Sequence, residues 1–171
     1  MSNALDNIKA AMVQYDEAKA VVNEKVKTNL AKAFVDFFDQ NPLIKVIGWA
    51  QYTPYFNDGD ACIFSICEVG FSMDENDIGA DPYDYTKISK PHQYTLDAAA
   101  EGKDYALEAV VKWEALCAEH SEAILNQTVA NCDELSNLLE HIDDQLEEMF
   151  GDGVQVVVTR NGIDTEEYEH D

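Results

Sequence analysis

Along the first forty residues, apolar side chains recur at steps of three and four: Leu5, Ile8, Met12, Tyr15, Val22, Val26, Leu30, Phe34, Phe37 and Phe38. Neither Gly nor Pro occurs between positions 2 and 40. The spacing is that of one helix face and predicts a single amphipathic helix over 2–40. Ser2 or Asn3 is the expected N-cap, and Asn41-Pro42 ends the pattern because a residue before proline avoids helical backbone angles. At 1.5 Å per residue such a helix runs to about 55 Å, longer than a small domain is wide. It therefore bends near residues 21–25 or projects. A projecting apolar stripe over 5–22 is expected to form a homodimer.

After Pro42 the period changes. LIKVIGWAQYTPYF and ACIFSICEVGF are apolar, β-rich runs separated by NDGD, which predicts a β-hairpin. Pro54 ends the pairing ahead of the turn and leaves a wide loop. The segment over 72–95 holds no period and carries Pro82 and Pro91, so it reads as an acidic surface loop. Helical spacing returns over 96–125, its start blurred by Gly102. It returns again over 129–150, where Leu135, Leu138, Leu139, Ile142, Leu146 and Met149 form a stripe that Gly151 and Gly153 terminate. VQVVVTR reads as a strand, and the tail from Asn161 as a returning strand or a frayed end. Together these elements predict one α+β domain over 1–171: a long N-terminal helix, a β-hairpin, two further helices and a C-terminal strand, with a small antiparallel sheet packed on helices. Trp49, Tyr52, Tyr55 and Phe56 are expected mainly in the core, with an exposed aromatic patch as the alternative.

Charge alters this picture more than composition does. The chain of 171 residues holds 34 Asp and Glu against 11 Lys and Arg, a formal charge of −23. Residues 1–48 balance six acids with six bases, 49–132 carry fifteen against four, and 133–171 carry thirteen against one. Such a chain repels nucleic acid and anionic lipid at contact range, so direct DNA, RNA or membrane binding is disfavoured. The opening MSNALDNIKAAM lacks the continuous apolar stretch of a signal peptide, and no transmembrane run appears, so the expected location is the cytoplasm. Cys62, Cys67, Cys117 and Cys132 form no CxxC pair and are expected to be reduced thiols. Cys62 and Cys67, five apart on an expected strand, would point to opposite faces. Cys117 with His120 is a non-standard spacing for zinc.

Two candidate sites follow from the acids. Glu140, Asp143, Asp144, Glu147 and Glu148 lie off the apolar stripe of the last helix, where neighbours three and four apart repel instead of pairing with Lys. With Glu166, Glu167 and Glu169 in the tail they are the expected contacts to a basic protein surface, spaced carboxylates presenting charge much as phosphates do. A solubilising surface is the plainer alternative. The second candidate is a hard-cation site, calcium or magnesium, built from Asp58 and Asp60 in one loop and Asp74, Asp77, Asp81 and Asp84 in the other. As an EF-hand loop it fails: counting from Asp74, the twelfth position is Tyr85 where a bidentate Glu is needed. No GxSxG elbow, Walker loop or GxGxxG is present, and His92, His120, His141 and His170 are scattered, so the sequence motivates no enzymatic activity.

WAQYTPYFNDGDACIFSI over 49–66 and VVVTRNGIDTEEYEHD over 156–171 resemble segments of small, uncharacterised proteins of tailed bacteriophages. The resemblance implies no activity and no site residue. It does imply a setting, the bacterial host cytoplasm, in which small acidic proteins include inhibitors and nucleic-acid mimics directed at host DNA-binding or defence proteins.

Overall fold

The computed structural model describes residues 2–56, 59, 61–67, 69–85 and 88–169. Helix α1 spans Ser2–Gln40 without a break, so of the two routes open to so long a helix it takes projection. Residues 4–22 are all exposed, whereas Leu30, Phe34, Phe37 and Phe38 near its other end are buried. Only the last three turns of α1 belong to the core. The side chains of Ser2 and Asn3, the expected caps, lie outside the described residues. Asn41 closes the helix as expected: its Nδ2 donates to Phe37 O at 2.8 Å, while its Oδ1 accepts from Asn131 Nδ2 at 2.8 Å.

Strand β1 (Val46–Tyr52) is the centre of an antiparallel sheet. On one side it pairs with β2 (Ser65–Ile66) and β3 (Gly70–Ser72), the second arm of the expected hairpin. On the other it pairs with β4 (Val154–Thr159), which turns through Arg160 and Asn161 into β5 (Gly162–Glu167). The tail therefore returns as a strand. The hairpin's second arm is shorter than the apolar run suggests, since pairing begins only at Ser65, and Cys62 lies exposed in the irregular chain before it. The opposite-face argument for Cys62 and Cys67 thus does not apply.

The two helices expected over 96–125 and 129–150 are four: α2 (Gln93–Ala100), α3 (Asp104–Glu119), α4 (Glu122–His141) and α5 (Asp143–Phe150). Each break has a local cause. Gly102, at φ +80°, closes α2. Ser121 accepts a hydrogen bond from Ile124 N through its Oγ and starts α4 four residues before Leu125, inside what reads as one periodic run. Ile142, at φ −112° and ψ 26°, leaves the helical region and kinks the chain between α4 and α5.

One sheet face packs on the helices. Ile47, Trp49, Val156 and Val158 meet Phe34, Phe38, Leu139 and Leu146, all nearly or wholly removed from solvent. This core is stitched by a polar group: Gln51, fully buried, accepts from Trp49 Nε1 at 3.0 Å and donates from Nε2 to Leu146 O and Gly151 O at the end of α5. The opposite face is covered by the segment expected to be a surface loop. Its two short 3-10 turns, Glu75–Asp77 and Pro82–Asp84, bring Ala80 and Tyr85 down onto Val46 and Val157. Tyr85 lies over the facing pair Gly48 and Gly70, where any side chain would collide with its ring.

Replacing Gln51 by Leu should destabilise the fold by about 3 kcal/mol, because the Trp49 N–H and two helix-end carbonyls lose their partner inside the core. Urea unfolding checks this, with an unchanged m-value expected. Gly70→Ala should cost about 2 kcal/mol, since the new Cβ would stand 2.5 Å from the backbone oxygen of Pro82, which cannot swing aside. The melting temperature of that variant is the measurement.

Candidate interaction surface

The acids gather where α4 gives way to α5. Glu140 is in the last turn of α4, and Asp143, Asp144, Glu147 and Glu148 all lie on α5. Leu146 anchors α5 in the core, which turns Glu147 and Glu148 outward. Two of the five carboxylates pair with lysines of α1, which corrects the expectation that this helix carries only repelling neighbours, and Asp143 Oδ1 accepts from Asp144 N at 2.8 Å. Lys19 Nζ donates to Asp144 Oδ2 at 3.4 Å, Lys27 Nζ to Glu148 Oε1 at 2.8 Å, and Asn23 Nδ2 to Glu148 Oε2 at 2.5 Å. Gln145 Nε2 completes the seam on Asn23 Oδ1 at 3.1 Å. The hydrogen bond from Lys27 holds the Glu148 carboxyl below the usual carboxylate range. Positions 19, 23 and 27 form one i+4 row on α1, a signal present in the sequence whose partner only the fold could name. Glu140, Asp143 and Glu147 have no cationic partner among the described residues.

The tail acids come to the same end of the sheet. Glu166 and Glu167 face Gln155 and Val154 across the last ladder, and Tyr168 N donates to Gly153 O, in the turn that leaves α5. Glu169 follows, exposed. The one base of residues 133–171, Arg160, points away from them. Its guanidinium donates to Asp39 Oδ1 at 2.8 Å and to Phe38 O, and stacks over the Phe38 ring at 5.7 Å. Placed at the C-terminal end of α1, it meets the negative pole of that helix.

The four aromatic candidates do not form one patch. Trp49 is in the core, 6.2 Å from Phe34 and 6.1 Å from Phe150 between ring centres. Tyr52 stacks on Tyr168 at 5.8 Å, and a hydrogen bond shared with Cys67 is the main cause pushing its phenol up to about 12. Tyr83, which the sequence did not single out, is raised by the same thiol. Tyr55 and Phe56 are exposed in the loop after β1, at 85% and 76%.

Of the six proposed cation ligands, Asp58 and Asp60 lie outside the described residues, as does the side chain of Asp84. The other three act on their own backbone or a neighbour. Asp74 Oδ1 accepts from Asn76 N at 2.9 Å, Asp81 Oδ1 from Tyr83 N at 3.0 Å, and Asp77 Oδ2 from Ser72 Oγ at 2.5 Å. Among the described residues no three His, Cys, Asp or Glu side chains are grouped to hold a metal ion. All four cysteines are free thiols. No described helix is long and apolar enough to cross a membrane. No family model matches the chain, and comparison with curated proteins and with solved structures finds no match.

Because Glu148 is tied to α1 and Glu147 is not, Glu148→Gln should lower the melting temperature while Glu147→Gln leaves it unchanged or raises it. The difference should shrink in 1 M salt, which screens an exposed ion pair. Thermal unfolding followed by circular dichroism at two ionic strengths measures both.

Proposed function

We propose that this protein is an acidic interaction module that engages a basic surface of another protein. The observation that carries the reading is the disposition of charge over residues 133–171. Thirteen acids stand against one base there, and that base is engaged by Asp39 and Phe38 at the end of α1. Glu140, Asp143 and Glu147 keep their charge uncompensated, at steps of three and four along the chain. A surface of this kind accelerates encounter with a cationic partner and selects against anionic ones. The resemblance of residues 49–66 and 156–171 to phage proteins favours a host or defence protein as the partner, and its nucleic-acid-binding cleft as the surface occupied. In that setting the module is an inhibitor that stands in for phosphates. The capping roles of Asp74 and Asp81 and the hydrogen bond from Ser72 to Asp77 give the hard-cation alternative no comparable support.

The test is capture of the partner on immobilised protein from bacterial lysate at low and high salt. Binding should fall steeply with ionic strength, and added DNA or RNA should release the same partner. Glu140→Lys combined with Glu147→Lys should abolish capture without lowering the melting temperature, since neither side chain is buried or paired. A double variant that captures as well as the parent, with nucleic acid failing to compete, would reduce the acidic surface to a solubilising role.

A further inference from the structure

The projecting part of α1 carries a seam of its own. Positions 5, 8, 12, 15, 19, 22 and 26 alternate steps of three and four, the seven-residue period of a helix that packs along another helix. All but Lys19 are apolar, and Leu5, Ile8, Met12 and Tyr15 are between 54% and 63% exposed. The seam does not end in solvent. Val22 and Val26 carry it into an apolar groove between α1 and the α4–α5 junction, whose far wall is Leu138 and Ile142. Leu138, assigned by its spacing to the core stripe, is 47% exposed there.

We propose that this arm pairs antiparallel with the arm of a second copy, Met12 of each facing Tyr15 of the other. Charge selects both the occupant and the direction. Residues 1–48 are electrically balanced, so the whole of the −23 charge belongs to the rest of the molecule. A parallel pair would set two such bodies side by side. An antiparallel pair overlapping over 2–22 keeps them at opposite ends of about 30 Å of helix, several Debye lengths at physiological salt. Direction also decides the flanks of the seam. Lys9 and Asp16 lie on the same flank seven residues apart, and neither has an ionic partner among the described residues. In the antiparallel register Lys9 of each copy comes within one turn of Asp16 of the other, twice by symmetry. In a parallel pair the residues opposite them are alanines, Ala4 and Ala11. The same register sets Leu5 of one copy against Val22 of the other, so that each arm's tip closes the mouth of its partner's groove. Lys19 meets Ile8 with its aliphatic stem while its ammonium stays on Asp144.

An overlap of about three heptads lies at the small end of specific interfaces, near 1,200 Å², so assembly is expected at micromolar concentrations. Sedimentation velocity of the full chain from 1 to 100 µM is the experiment. The parent protein should pass from monomer to dimer within that range, and Met12→Asp should stay monomeric with its melting transition intact. Lys9→Glu should weaken the dimer at least tenfold, and adding Asp16→Lys should restore it. A parent protein monomeric at 100 µM would overturn the proposal, as would a dimer indifferent to Met12→Asp. A dimer unaffected by Lys9→Glu would overturn the antiparallel register. None of these variants touches Glu140, Asp143 or Glu147, so the outcome is independent of the acidic-surface reading.

Discussion

The amide of Gln51 is the constraint on which the rest of this structure is arranged. It sits on the central strand with no solvent contact, takes the indole N–H of Trp49, and gives its own N–H groups to the carbonyls that end α5. A buried amide is costly unless satisfied, and here satisfaction requires the strand, the ring and the helix end to be in place together. Apolar contacts alone would let α5 slide or rotate over the sheet at little cost. The hydrogen bonds remove that freedom and so determine which carboxylates of α5 look outward and which face α1.

That arrangement separates two uses of charge. Three bases are spent on architecture: Lys19 and Lys27 dock α5 on the long helix, and Arg160 fastens the β4–β5 turn to the same helix at its other end. Each of these three cations is consumed locally by a carboxylate, a carbonyl or a ring. The excess of acids has no such outlet and is left on the surface. The molecule tolerates the resulting self-repulsion because the acids are spread over several elements, and because the core beneath them is closed by aromatic and branched side chains.

The sequence made the elements with long, regular patterns legible. The unbroken helix, the apolar central strand, the strand before the tail and the stripe from Leu135 to Leu146 were all readable from period and turn residues. Reading failed where a local signal interrupts a period without changing it. Ser121 and Ile142 divide helices in the middle of good apolar spacing, and neither is a glycine or proline. It failed again over 72–95, where a polar, aperiodic segment nonetheless covers a sheet face. Tyr85, with Ala80 beside it, supplies the apolar cover there, and the room for its ring is two glycines distant in sequence, Gly48 and Gly70. The acidic surface was visible as composition. Its division into paired and unpaired groups was not, because the lysines that pair lie more than a hundred residues upstream.

Strand β5 gives the sheet a free edge, and what decorates that edge has a bearing on how the protein behaves when concentrated or placed in high salt. Asp164 and Glu166 stand on one of its faces and Glu167 on the other, so an incoming strand meets carboxylates on both sides of the edge. The safeguard is electrostatic, since the strand itself contains no proline. It therefore weakens as salt rises. Where salt screens those charges the edge is left as an open hydrogen-bonding template, and fibrillar or amorphous association through β5, distinct from any pairing of the helical arms, becomes the characteristic hazard of this fold.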